Sequence, residues 1–207
     1  MELKKGYFIT FEGADGCGKT TQIKLINQWL NKNSIDTVLT LEPGDTELGK
    51  SLRQILLHYD KPVANTAEAF LYLADRAQHV KYLIQPALKD KKVILCDRYT
   101  DSTVAYQGYG RGEDTERINY LNNIATEGLE PDLTLVFDVQ SETAQKRVGK
   151  DKDRLESEGM DFHKKVRLGY LELAKKYPHR IKVIDANRGI EEVFSSTKEA
   201  IGELLNL

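Results

Sequence analysis

Cysteine is scarce in this chain of 207 residues. Cys17 and Cys96 are its only two, too few for a disulfide framework or a zinc site, and reduced thiols are what a cytosolic protein carries. Neither sign of charge dominates. The 30 basic residues stand against 32 acidic ones for a net charge of −2, so the surface as a whole does not attract polyanions, which argues against a general nucleic-acid binder. No apolar run is long enough to span a bilayer, and Met1 to Gly6 lead into a strand pattern without an apolar segment and cleavage site. The expectation is a cytoplasmic protein with no membrane attachment. Low-complexity tracts, internal repeats and proline-rich linkers are also lacking, so a single domain over residues 1–207 is expected. His58, His79, His163 and His179 are scattered without metal-ligand spacing.

What the chain does have is Gly13-Ala14-Asp15-Gly16-Cys17-Gly18-Lys19-Thr20, a full match to the G-x-x-x-x-G-K-[ST] phosphate loop. Gly13 and Gly18 let the backbone curl so that amides point at phosphate oxygens, while Lys19 brings a compact positive charge and Thr20, followed by Thr21, a hydroxyl for Mg²⁺. A glycine-rich turn would read the same in isolation, but the context decides. The apolar run Tyr7 to Phe11 enters the loop as a strand, and Ile23, Ile26, Trp29 and Leu30 leave it at helical spacing. Cys17, beside a helix start and Lys19, reads as a small residue in a tight loop before it reads as an activated thiol.

Strand and helix patterns alternate along the rest of the chain. Strands are expected over 7–12, 37–41, 92–97, 133–138 and 181–185, each short, apolar and rich in β-branched residues. Helical spacing between them predicts an α/β fold, a parallel sheet with helices on both faces and ligands beyond the strands' carboxyl ends. Asp97 ends the third strand, where a phosphate-loop enzyme orients Mg²⁺ or its waters, with Arg98 next to it to grip a second phosphate. Asp138, ending the fourth strand, is the competing aspartate. A basic cluster, Lys146, Arg147, Lys150, Lys152 and Arg154, lies within a lid-like segment of about residues 146–158. Such a run is ordinarily solvated charge. A phosphate loop without an arginine alters that reading, because the transferred group needs cations and exclusion of water.

These residues resemble bacterial thymidylate kinases of the type with lid rather than phosphate-loop arginines. The resemblance rests on Phe11-Glu12-Gly13, Glu42-Pro43-Gly44, Ala74 to His79, Asp97-Arg98-Tyr99, Ala105 to Gly108 and Asp153-Arg154-Leu155-Glu156, in the family's order and over nearly the whole chain. It implies a three-layer P-loop nucleoside monophosphate kinase fold with a five-stranded parallel sheet. It implies transfer of the γ-phosphoryl group of ATP to dTMP, with Mg²⁺ accompanying ATP, in a homodimer. It also implies roles. Tyr72 stacks on thymine, Arg76 donates to its O4, and Ser102, Thr103 and Gln107 lie beside the base, with Glu42 and Pro43 lining the acceptor site. Tyr106 packs near the sugar's C2′, Asp15 reaches the acceptor's 3′-hydroxyl and phosphate, and Arg98, helped by Arg53, grips the 5′-phosphate. Asn187 and Arg188 resemble the loop bordering adenine.

The acceptor's oxygen is already anionic, so no general base is called for, and Lys19, Asp15, Arg98 and a lid arginine carry the catalysis by positioning and charge. Arg154 is the first lid candidate and Arg147 the second. A lid with so few arginines departs from the family's pattern, as does Cys17 where alanine or serine is usual. Other readings remain at this point. A regulatory GTPase would show Asn-Lys-x-Asp after a strand, whereas Asn31-Lys32-Asn33-Ser34 follows a helix. A non-catalytic nucleotide-binding protein would leave the acceptor residues without a purpose. Another nucleoside monophosphate kinase, or a deoxynucleoside kinase with Glu42 as its base, is the nearer rival.

Overall fold

Alternate residues of the strands face opposite helix layers, as the period of two requires. The computed structural model describes residues 3–147, 149 and 153–207; Lys150 and Lys152 of the basic cluster lie outside the described residues. Strands β1 (Tyr7–Glu12), β2 (Thr37–Leu41), β3 (Val93–Asp97), β4 (Leu133–Asp138) and β5 (Ile181–Asp185) form one parallel sheet in the order β2-β3-β1-β4-β5. The sequence placed them within one residue, β3 starting at Val93 rather than Lys92.

On one face, Ile9 and Phe11 of β1, Leu95 of β3 and Leu135 and Phe137 of β4 are covered by α1 (Lys19–Lys32) and α9 (Ile190–Leu205) through Ile23, Ile26, Leu30, Val193 and Ile201. On the other, Phe8, Ile94 and Cys96 pack under a long helical stretch that begins with α3 (Asn65–His79) and ends with α4 (Gln85–Lys89). Val136 and Ile181 of that face lie under α8 (Met160–Lys176) and the segment after α5 (Thr100–Thr103). Helices α2 (Glu47–His58), α6 (Thr115–Ala125) and α7 (Ser141–Arg147) complete the described helices. Five parallel strands between two helix layers are the architecture the alternation predicted.

Two π-helical segments, Val80–Ile84 and Val104–Gly110, were not legible in the spacing. The first has a local cause. Pro86 has no N–H and its ring would collide with the carbonyl of Tyr82, so the helix widens by one residue just before it. The second continues α5 and lies against α8, bringing Tyr106 and Gln107 inward.

Sheet register sets the site. Phe11 of β1 lies opposite Asp97 of β3 and Glu12 opposite Val136 of β4, so the loop after β1 opens between the ends of both neighbours. Crossing from β3 to β4 passes over β1, which makes this edge the switch point of the sheet.

Candidate active site

The phosphate loop is built from backbone that a side chain would spoil. Gly13, Gly16 and Gly18 have φ of 135°, 79° and 98°, and a Cβ on Gly16 would lie 2.3 Å from the Ala144 carbonyl oxygen. Gly18 precedes α1, whose first turn has no side-chain cap and no acidic residue, so its amides are left for an anion. Lys19 folds back under the loop, with Nζ 3.1 Å from the Gly13 carbonyl oxygen, 3.4 Å from that of Ala14, 3.8 Å from Cys17 Sγ and 3.9 Å from Asp97 Oδ1.

Arg98 is the centre of the neighbouring network. Its backbone sits in the left-handed region at φ 74°, a conformation an arginine adopts only where its surroundings hold it. Here Arg98 N donates to the Phe11 carbonyl at 3.0 Å and Tyr99 N to Glu12 Oε1 at 2.7 Å. The guanidinium is thereby aimed across the loop. Nη2 lies 2.6 Å from Asp15 Oδ1 and Nη1 donates to the Gly13 carbonyl, Ser102 Oγ and Tyr170 OH at 3.1 to 3.2 Å. Tyr106 OH donates to Asp15 Oδ2 at 3.1 Å. Burial alone would raise the Asp15 carboxyl, but the charges of Arg98 and Lys19 bring it down to about 2.

Behind this layer Glu12 is wholly buried, accepting also from Ser102 Oγ at 2.6 Å and Tyr170 OH at 3.0 Å. Burial, and next the charge of Asp101, push its carboxyl up to about 7.

Three cavities run along the sheet edge. An acceptor-side cavity of about 550 Å³ is lined by Asp15, Glu42, Pro43, Arg53, Tyr72, Arg76, Arg98, Ser102, Thr103, Tyr106 and Gln107. Every acceptor residue expected from sequence is therefore brought together. Sequence reasoning missed Leu57 as a wall, although it is one turn beyond Arg53 on α2. Asp153 and Leu155 of the lid also reach it. A phosphate cleft of about 1220 Å³ shares Asp15, Glu42, Arg53 and Arg98 with it and adds Lys19, Thr20, Thr21, Asp97 and Arg147. A third, of about 680 Å³, lies beyond Gly16, Cys17 and Gly18, between Arg147 and Arg188. It was missed that Gln22, Ala186, Ile190 and Val193 wall this third cavity. Asn187 is turned to Asp185, which accepts from its Nδ2 at 2.8 Å, and does not line it.

Arg76 is buried, and four of its five N–H groups are engaged, by Glu42 Oε2, Thr103 Oγ1, Asn122 Oδ1 and the Tyr99 carbonyl. Glu42 Oε1 is 2.8 Å from His79 Nδ1. Both oxygens of Glu42 are thus held, and the carboxylate that a deoxynucleoside kinase would use as a base instead fixes Arg76. Asp138 is gripped by Arg167 through Nε at 2.6 Å and Nη2 at 2.8 Å. Asp97 Oδ1 is buried and has no hydrogen-bond partner among the described residues. An orphaned carboxylate oxygen in the cleft that holds Thr20 fits a hydrated Mg²⁺, so Asp97 rather than Asp138 suits that ion.

The two arginines expected of the lid are placed differently. Asp153 Oδ1 accepts from Leu155 N and Glu156 N, both at 2.8 Å, and Leu155 enters the core beside Tyr106 and Phe162. That turn aims Arg154 at α2 and α3. Its Nη1 donates to Glu68 Oε2 at 2.5 Å and its Nε to the Leu56 carbonyl at 3.0 Å, and it lines neither nucleotide cavity. Arg147, ranked second from sequence, lines both and sits over Gly16.

A parallel sheet whose phosphate loop opens onto an acceptor pocket through shared walls defines a P-loop nucleoside monophosphate kinase fold. The family model for thymidylate kinase matches residues 11–197. A thymidylate kinase of Nostoc punctiforme is 49% identical, over 98% of this chain and 96% of its own, and one of Pelotomaculum thermopropionicum 48%, over 98% and 95%. The crystal structure of thymidylate kinase from Ehrlichia chaffeensis superposes with a TM-score of 0.79 at 36% identity, covering 95% of this chain and 98% of that one. The chain belongs to the thymidylate kinase family.

Proposed function

We propose how this site performs the family's reaction, the transfer of the γ-phosphoryl group of ATP to dTMP to give dTDP and ADP. The observation that carries the assignment of residues is the pair Asp15 and Arg98, which walls the acceptor cavity and the phosphate cleft at once. ATP lies with its phosphates over Gly13 to Thr21 and its base toward Ala186, Arg188 and Val193. dTMP enters past Tyr72, with Arg76 facing the base and Tyr106 near the sugar. Arg98 exchanges contacts with Asp15 for the 5′-phosphate, whose anionic oxygen needs no base. Arg53 closes the same phosphate from α2. Lys19 and Arg147 meet the charge that spreads over the transferred group. Thr20 and Asp97 would hold Mg²⁺, which would neutralise donor phosphate charge. Arg154 anchors the lid.

Exposed Leu48 and Ile55 on α2, Phe70 on α3, and Tyr120 and Ile124 on α6, helices that pack side by side, support a homodimer. Among the described residues no helix is long and apolar enough to cross a membrane. Two free, buried cysteines support a cytoplasmic location. ADP release with ATP and Mg²⁺ against dTMP, dUMP, dCMP, UMP, AMP, GMP and thymidine tests the reading. Preferred turnover of dTMP is expected, and preference for thymidine or a purine monophosphate overturns it.

A further inference from the structure

Glu68 has no part in the mechanism above, yet it is a carboxylate with no exposed surface in the middle of the acceptor side. It precedes Tyr72 by one helical turn and Arg76 by two, so α3 places all three along one face. Its Oε1 accepts from Gln107 Nε2 at 2.8 Å and its Oε2 from Arg154 Nη1 at 2.5 Å, while Arg111 reaches the two oxygens at 3.4 and 3.3 Å. Burial acts to raise this carboxyl, but the Gln107 hydrogen bond and the charges of Arg111 and Arg154 outweigh it and hold it ionised. An ionised carboxylate only accepts. Gln107 must therefore turn its NH2 end to Glu68, which leaves its carbonyl oxygen as the end of the amide facing the cavity that it lines with Tyr72 and Arg76. An amide's two ends have nearly the same shape, so without such a partner the group could present either.

We propose that Glu68 is a positioning residue for base selection: by fixing the Gln107 amide it sets a hydrogen-bond acceptor beside the Arg76 donor. That pair matches the N3–H and O4 of a thymine or uracil ring. Cytosine offers the reverse, an unprotonated N3 and a 4-amino group, and would leave both protein groups facing like partners. The inference rests on the acceptor reading of this cavity.

Glu68→Gln tests it, because the new amide can donate to the Gln107 oxygen and so release Gln107 to turn its NH2 inward. The ratio of kcat/KM for dTMP to that for dCMP should fall about tenfold or more, through KM for dTMP rather than kcat. The ratio for dTMP to dUMP should stay unchanged, since both rings carry N3–H and O4. In a Gln107→Leu background, adding Glu68→Gln should leave the dTMP to dCMP ratio where it was. An unchanged dTMP to dCMP ratio in the single variant, or an equal fall in both backgrounds, would overturn the proposal and leave Glu68 as a clasp for Arg154. Should Glu68→Gln fail to fold, Glu68→Asp keeps the charge but withdraws the carboxylate, and the same fall is expected. Turnover of dTMP by the unaltered enzyme in the same assay reports the acceptor reading separately.

Discussion

Asp15 Oδ1 and Arg98 Nη2 lie 2.6 Å apart, one from the phosphate loop and the other from the end of β3. Neither position would bring them together without the register that sets Phe11 opposite Asp97. In the proposed reaction the acceptor's phosphate takes the place of Asp15 as the partner of Arg98, which would use the fork geometry of the guanidinium twice, first to hold itself ready and then to bind. Arg98→Lys keeps one charge and loses the fork. Its KM for dTMP should rise by roughly 10- to 100-fold, the worth of one or two charge-assisted hydrogen bonds, with kcat also reduced. Steady-state kinetics with dTMP varied at saturating ATP checks this, and an unaltered KM would remove Arg98 from phosphate binding.

The two lid arginines should separate cleanly. Arg147 is exposed, lines the nucleotide cavities and donates only to the Ala186 carbonyl at 3.5 Å among its hydrogen bonds to described residues. Arg147→Ala should lower kcat by roughly 10²-fold or more while the melting temperature hardly moves. Arg154→Ala leaves the buried Glu68 with Arg111 alone as a cationic partner among the described residues and should cost about 2 to 4 kcal/mol of stability. Its kcat should fall less than that of Arg147→Ala. Thermal melts alongside turnover numbers decide it, and a catalytic loss confined to Arg154→Ala would reverse the assignment.

The two arginines also mark where sequence reading stops. Residues that belong to the backbone's own logic were legible: β1 running into Gly13, Asp97 at the end of β3, and Tyr72 with Arg76 one turn apart on α3. Each is fixed by local spacing, and the sheet then carries them to a common edge. What Arg154 points at depends on Asp153 capping a turn and Leu155 entering the core next to Tyr106 and Phe162, contacts between segments far apart in the chain. Charge type alone could not reveal it. Glu68 was hidden for a similar reason. An acid on a helix reads as solvent-facing until Gln107, Arg111 and Arg154 close over it. Gln22 had a weak signal, lying three residues beyond Lys19 on the helix that starts the phosphate loop.

Dimerisation is expected to depend on the apolar residues that α2, α3 and α6 leave uncovered. Phe70 is 54% exposed and Tyr120 67% exposed, both on helices whose other faces are already packed. Sedimentation should give twice the 23.5 kDa of one chain, and Phe70→Glu should shift it toward the single mass. A single-chain mass for the unaltered protein would mean that this face is covered by nothing of its own kind.

The last expectation concerns pH and follows from Glu12. Its carboxyl has an ordinary value of 4.5 and is pushed up to about 7 in the fold, by burial first and then by Asp101. Below pH 4.5 the folded and unfolded forms both hold the proton. Between 4.5 and 7 the unfolded chain has lost it and the folded chain has not, so the unfolded state binds fewer protons and stability falls as pH rises. Above 7 the loss is complete. Asp75, raised to about 6 by burial and then by Glu42, acts in the same direction over a lower range, while Asp15, depressed to about 2, acts in the opposite one only in strong acid. Glu12→Gln removes the titration and keeps a carbonyl oxygen for Tyr99 N, the hydrogen bond that holds the Arg98 backbone at φ 74°. The melting temperature of the unaltered protein should therefore drop more steeply from pH 5 to pH 7 than that of Glu12→Gln, the two curves diverging over that window and running parallel above it. Parallel curves across that window would show that Glu12 is already ionised in the fold at pH 5, and that Arg98 rather than Asp101 governs it.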